Sequence, residues 1–171
     1  MLIDGKITNR EWADAKRTSI HADAVLLSKQ FDGTVYFAIQ AKQSRWAFVD
    51  LYLVDSTNTF YNLHASMQIG ERNLTGISWT DFDPKTAWGN HREWMASEAK
   101  ANPLVERGSP IAARMHPYDG YEFQLQRSRF TGKTWQLRVH VKSFEDNTFA
   151  AVYPAESDKM KPETWLRVVL E

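Results

Sequence analysis

The chain has 171 residues, no cysteine, and 21 basic against 21 acidic side chains, for a formal net charge of zero. That length suits one domain, 1–171, whose core needs no covalent staples, and the missing thiols exclude cysteine nucleophiles, thiolate metal sites and disulfide frameworks. Balanced charge removes the global positive field that nucleic acid or an anionic membrane would need, and no apolar run is long enough for membrane insertion by a helix.

The first residues read Leu2-Ile3-Asp4-Gly5-Lys6-Ile7, then Glu11-Trp12, then Ala13 and Ala15. An Asp-Gly turn between apolar runs, followed by a Trp and small residues able to lie on a core, describes an N-terminus tied down before the main sheet. Thr34 to Ile39 reads as a strand, and from there period-two alternation dominates, as in half-buried antiparallel strands. Ala47, Val49, Leu51 and Leu53 oppose Trp46, Phe48, Asp50 and Tyr52. Tyr61, Leu63, Ala65, Met67 and Ile69 oppose Asn62, His64, Ser66 and Gln68.

Between Asp83 and Ala101 the pattern breaks. Asp83 as N-cap, Pro84 at the first helical position and Asn102-Pro103 as a stop predict a short helix or two inserted between strands. Alternation then resumes, with Tyr121, Phe123 and Leu125 against Glu122, Gln124 and Gln126, and Trp135, Leu137, Val139 and Val141 against Gln136, Arg138, His140 and Lys142. One face of each strand is expected in the core and the other in water. Turn clusters at Asp32-Gly33, Asp55 to Asn58, Asp119-Gly120 and Thr131-Gly132 separate the strands, and Ser157 to Pro162 reads as a polar loop before the last one. The fold class is all-β: a two-sheet antiparallel β-sandwich with a helical insertion near 83–101. Val49, Leu51, Leu63, Met67, Phe123, Leu137 and Val139 are expected in one core.

The order of these features resembles the family 9 carbohydrate-binding modules and the wider DOMON-like group of β-sandwiches. The resemblance runs through Ile3-Asp4-Gly5, Glu11-Trp12, Thr34 to Ile39, Val49-Asp50-Leu51-Tyr52-Leu53, Phe60 to Ala65, Gly120-Tyr121-Glu122-Phe123, Tyr153-Pro154 and Trp165-Leu166. It departs at Gln124, where many relatives carry an acid, and near Arg127, where many carry a proline. What it implies is a non-catalytic module that recognises an oligosaccharide or polysaccharide, as part of or companion to a larger carbohydrate-active system. It further implies an extracellular or periplasmic location, with the leader removed, since Met1 leads almost directly into the Asp-Gly turn.

Seven Trp residues are many for one domain, and an indole face can stack on the apolar C–H face of a sugar while neighbouring polar groups bond its hydroxyls. Trp12, Trp135 and Trp165 occupy strand or anchoring positions and are assigned to packing; Trp46 suits either purpose. Trp79, Trp88 and Trp94 lie in or beside the insertion, where loops carry function. With Arg92 and Glu93 they form the expected ligand-binding set, and Asn90 and His91 lie between the same Trp residues. Arg and Glu side chains can bond vicinal hydroxyls in pairs. The sheet-face residues Arg138, His140, Glu122 and Gln124 offer a second polar group.

No glycine-serine elbow, P-loop, dinucleotide fingerprint or HExxH motif is present, and the chain is read as not an enzyme. No cofactor is expected, although the family often holds structural calcium and Asp50, Asp55, Asp81 and Asp83 lie near turns. A second reading is a haem-binding electron-transfer domain with Met plus His or Lys ligands. Against it, His64 and Met67 point apart in a strand, as do Met115 and His116, which leaves His91 with Met95 on one helical face. A third reading is a structural or protein-interaction sandwich without a small ligand.

Overall fold

A computed structural model describes residues 1–41, 46–83, 93–101, 115–116, 119–143 and 150–171. The described residues form a short helix α1 (Asn9–Trp12) and fourteen strands: β1 (Lys16–His21), β2 (Ala24–Phe31), β3 (Thr34–Ala41), β4 (Trp46–Val54), β5 (Phe60–Ala65), β6 (Ile69–Thr75), β7 (Ser78–Trp79), β8 (Trp94–Ala96), β9 (Lys100–Ala101), β10 (Met115–His116), β11 (Gly120–Gln126), β12 (Thr134–Ser143), β13 (Ala150–Tyr153) and β14 (Leu166–Val169). A 3-10 turn, Pro162–Thr164, precedes β14. Two antiparallel sheets carry the fold. Sheet I runs β1-β2-β3-β11-β8, and sheet II runs β13-β12-β4-β5-β6-β7, with β14 also paired to β12.

The alternation explains the layering. Leu26, Val35, Phe37, Ile39, Tyr121, Phe123 and Leu125 of sheet I meet Val49, Leu51, Leu53, Leu63, Ala65, Leu137, Val139 and Val141 of sheet II in one cluster, with Trp135 among them. Six of the seven expected core residues are buried there; the seventh, Met67, packs against the cluster while partly exposed. Met67 is in a turn rather than a strand. The alternation through Tyr61 to Ile69 is broken by a hairpin in which Ser66 N–H donates to Gln68 O at 2.9 Å, so β5 ends at Ala65 and β6 starts at Ile69.

The expected helix near 83–101 is corrected where it is described. Trp94–Ala96 is an edge strand on β11, with Leu125 opposite Trp94 and Phe123 opposite Ala96. Trp94 and Ala96 are buried and Met95 between them is half-buried, a two-residue period that a helix face would not produce. The open edge of β11 captures this segment, and tertiary pairing decides its conformation. Residues 84–92 lie outside the described residues.

A helix the alternation does not predict sits at the N-terminus. Thr8 caps α1, its Oγ1 accepting from Glu11 N–H at 3.3 Å. The turn places Trp12 with Ile7 on the outer side of sheet I, against Leu27, Tyr36 and Ala38. Gly120 marks the closest approach. A Cβ there would lie 2.0 Å from the Ile39 carbonyl oxygen and 2.7 Å from Ile7 Cδ1, so strand and strap both exclude a side chain.

Candidate functional site on the outer face of sheet II

The register of β12, β4, β5 and β6 lines up the outward residues in rows. His140 pairs with Asp50, Asp50 with His64 and His64 with Gly70. The next row is Arg138, Tyr52, Asn62 and Arg72, paired in that order. Period-two geometry keeps both rows on the face opposite the core.

This face is not simply wet. Asp50, Tyr52, Asn62 and Arg138 are all buried. Trp165 and Trp79 flank Tyr52 with ring centroids 6.1 and 5.5 Å away, and Phe60 packs on Trp165. Phe82, carried past the end of β7, lies over Gly70 and meets the His64 ring at 5.4 Å. The half-exposed groups that remain are Arg72, Trp79, Lys159, His64 and His140.

Asp50 organises the first row. Its carboxylate accepts from His64 Nδ1 at 2.9 Å and Asn62 Nδ2 at 3.2 Å, and His140 Nδ1 stands 3.7 Å away. Burial opposes ionisation, but the nearby His140 and the bonds from His64 and Asn62 outweigh it and hold the carboxyl well below the usual carboxylate range. The far side of the His64 ring meets Ser66 Oγ at 3.0 Å. Asp50, His64 and Ser66 thus have the connectivity of a nucleophilic triad. Ser66 Oγ, however, donates to Gln68 O and accepts from Gln68 N–H, while its own N–H is spent on Gln68 O. The serine is 8 % exposed. The arrangement staples the β5–β6 turn to the sheet and leaves the Ser66 amide unable to stabilise an oxyanion.

The second row is cationic and aromatic. Arg138 lies 5.2 Å and Lys159 5.3 Å from the Tyr52 ring centre; Lys159 lies 5.4 Å and Arg72 5.6 Å from that of Trp79. Arg72 Nε donates to Asn62 Oδ1 at 2.8 Å, and Arg138 Nε donates to Ser157 Oγ at 3.1 Å. Burial pushes the Tyr52 hydroxyl up to about 12 and lowers the Arg138 and Lys159 values. The Trp79 indole N–H is buried and finds no acceptor among the described residues.

Of the residues expected to act together, the structure separates Trp79 from Trp94. Trp79 belongs to this face, at the edge of sheet II. Trp94 does not: it is 0 % exposed, on sheet I, and its indole N–H donates to buried Glu71 Oε2 at 2.7 Å across the sandwich. That burial overturns its assignment as a stacking platform, because no ring face reaches solvent. Glu93 is exposed and stands 3.5 Å from Arg129, which also pairs with Glu71. Trp88 and Arg92, with Asn90 and His91, lie outside the described residues, as does the His91 member of the His91–Met95 pair. Trp12, Trp135 and Trp165 are buried, as their strand and anchoring positions imply.

The second polar group also splits. Arg138 and His140 face outward from sheet II, whereas Glu122 and Gln124 belong to sheet I. Glu122 is buried under the N-terminal strap, accepting from Asp4 N–H, Gly5 N–H and Trp12 Nε1.

Of the four aspartates near turns, two are engaged in hydrogen bonds. Asp50 is taken by the two histidines and Asn62, and Asp55 by the N–H and hydroxyl groups of Thr57 and Thr131. Among the described residues no three His, Asp or Glu side chains gather to hold a metal. His64 and Met67 face apart, the first into the polar row and the second toward the core. No helix among the described residues is long and apolar enough to cross a membrane. Comparison with protein-family models, with curated proteins and with solved structures returns no match in any of the three.

Proposed function

We propose that this chain is a non-catalytic glycan-binding β-sandwich module whose ligand lies on the outer face of sheet II. The observation that supports it most is the row Arg138, Tyr52, Asn62 and Arg72, bordered by Trp79 and Lys159. It combines a half-exposed indole with planar, multi-donor groups fixed by the sheet, the combination that a sugar's apolar face and ring hydroxyls require. Strands hold these groups more rigidly than an insertion loop would. The residues proposed to carry binding are Trp79, Arg72 and Lys159, with Arg138, Asn62 and Tyr52 as their support. By the resemblance of the sequence, the module acts beside carbohydrate-active enzymes outside the cytoplasm.

A single stacked ring supports weak binding, with Kd between about 1 μM and 1 mM, or roughly −8 to −4 kcal/mol. Titration calorimetry at high concentrations of soluble polysaccharides and their oligomers should detect it. Trp79→Ala should abolish the heat while leaving the fold intact by circular dichroism. Unchanged binding in that variant moves the site elsewhere, and silence across a broad glycan panel removes the carbohydrate reading.

A further inference from the structure

We infer that the ligand on this face is an anionic glycan, a sugar bearing a carboxylate or sulfate group, held by the guanidinium end of Arg72 and the Lys159 ammonium, with the buried Arg138 adding positive charge behind them. The inference rests on the glycan reading above and deepens it.

Three cations gather here without a carboxylate in direct contact. Arg138 and Lys159 share the Tyr52 ring, and Lys159 and Arg72 share the Trp79 ring, so each pair of cations lies within about 11 Å. Among the described residues none of the three has a carboxylate within 4.0 Å. Asp50 acts on Arg138 and Lys159, and Asp158 on Arg138, only at a distance; their direct contacts are elsewhere, Asp50 with His64, Asn62 and His140, and Asp158 with Lys161 at 3.8 Å. Cation–π contact offsets part of the cost of gathering like charges at a partly desolvated place. It does not neutralise them, and a neutral sugar would leave the repulsion as it is.

The hydrogen bonding of the arginines points the same way. Arg72 is fixed through Nε by Asn62, which is 0 % exposed, and Arg138 through Nε by Ser157. Apart from a bond between Arg72 and the Tyr52 hydroxyl, the terminal nitrogens make no hydrogen bond to the described residues. Anchoring Nε while leaving the two-nitrogen end largely open presents the fork that matches the paired oxygens of a carboxylate or sulfate. Trp79 then supplies a sugar-facing ring within the same cluster. A free inorganic anion would use the charges and ignore the ring.

The test is calorimetric titration of the intact chain with galacturonate and alginate oligosaccharides, with cello- and xylo-oligosaccharides, and with sodium sulfate, at low and high sodium chloride. The expected result is preference for the acidic oligosaccharides, with affinity falling at least about tenfold as salt rises, since exposed charge pairs are screened. Arg72→Gln and Lys159→Gln should each weaken acidic-glycan binding about tenfold or more, the scale of a lost charge-assisted hydrogen bond. Both side chains are half-exposed, and thermal melting of each variant checks that it folds. Equal, salt-insensitive binding of neutral and acidic oligosaccharides, with neither variant affected, overturns the anionic ligand and leaves the glycan reading standing. Sulfate binding as tightly as the acidic oligosaccharides overturns the saccharide. No binding of any glycan overturns both.

Discussion

The Trp12 indole N–H donates to Glu122 Oε1 at 3.0 Å, joining residues 110 positions apart. The other carboxylate oxygen accepts from Asp4 N–H at 3.0 Å and Gly5 N–H at 2.8 Å, so a single buried side chain gathers the whole N-terminal strap. Trp12→Phe keeps the ring and removes the donor, leaving a buried oxygen short of a partner. The expected loss is about 1–3 kcal/mol in urea denaturation. Glu122→Gln should cost a similar amount, because an amide cannot accept on both sides, and the double variant should lose less than the sum of the two.

Two of the buried carboxylates, Asp50 and Glu122, respond to pH in opposite senses. Asp50 titrates in the fold below its ordinary 3.8, so its contribution is complete above that value and is lost as pH falls through the depressed one. Burial raises Glu122 above 4.5 despite its bonds from Gly5, Trp12 and Asp4. The native state therefore holds this proton more tightly than the unfolded chain, and stability declines as pH rises from 4.5 through the raised value. Urea midpoints measured against pH should show Asp50→Asn flattening the acid limb and Glu122→Gln flattening the limb just above 4.5. A variant with an unaltered profile refutes the corresponding assignment.

Leu51 is 0 % exposed at the centre of sheet II, opposite Leu63 and Val139. Leu51→Ala should cost about 2–5 kcal/mol, and a change below about half a kcal/mol would show that the face assignment is wrong. Gly120→Ala should be worse per atom added. Its methyl would meet the backbone of Ile39, and the expected readout is a lowered melting temperature together with loosened packing around Ile7, visible by amide exchange.

Trp94 and Trp79 should separate stability from binding. Trp94→Phe leaves the buried Glu71 without its indole donor and should destabilise by about 1–3 kcal/mol, yet leave glycan affinity unchanged because it lies in the core. Trp79→Ala should do the reverse, with loss of binding exceeding any loss of stability. Denaturation and calorimetry on the same two preparations decide it.

Much of the sandwich was readable from alternation alone. The faces carrying Val49, Leu51, Leu63, Leu137 and Val139 are as the two-residue period has them, because side-chain direction in a strand is a local property. The same period already placed Asp50, Tyr52, Asn62, His64, Arg138 and His140 on opposite faces from the core. It could not join them into rows, since β12 beside β4 is a pairing of segments about ninety residues apart, and register is decided between strands. Trp94 lies in a strand for a related reason: the open edge of β11 that claims it is a pairing between segments, which no local pattern shows. Trp79 was recognised as an aromatic near the insertion, but its neighbours Arg72 and Lys159 converge only in three dimensions.

The strand order also governs how the chain must fold. Sheet I is completed when β11 pairs with β3, and sheet II when β12 pairs with β4, so both central ladders join the first third of the chain to the last. Each demands closure of a long loop before its hydrogen bonds repay the entropy, which places folding toward the slow, millisecond-to-second end for single domains. Neither sheet can be finished while the chain is cut between β7 and β11. A fragment ending at residue 83 would carry β3 and β4 as open edges with Phe37, Ile39, Leu51 and Leu53 bared on one side. Its expected behaviour is aggregation rather than independent folding, recoverable by adding the complementary fragment before collapse.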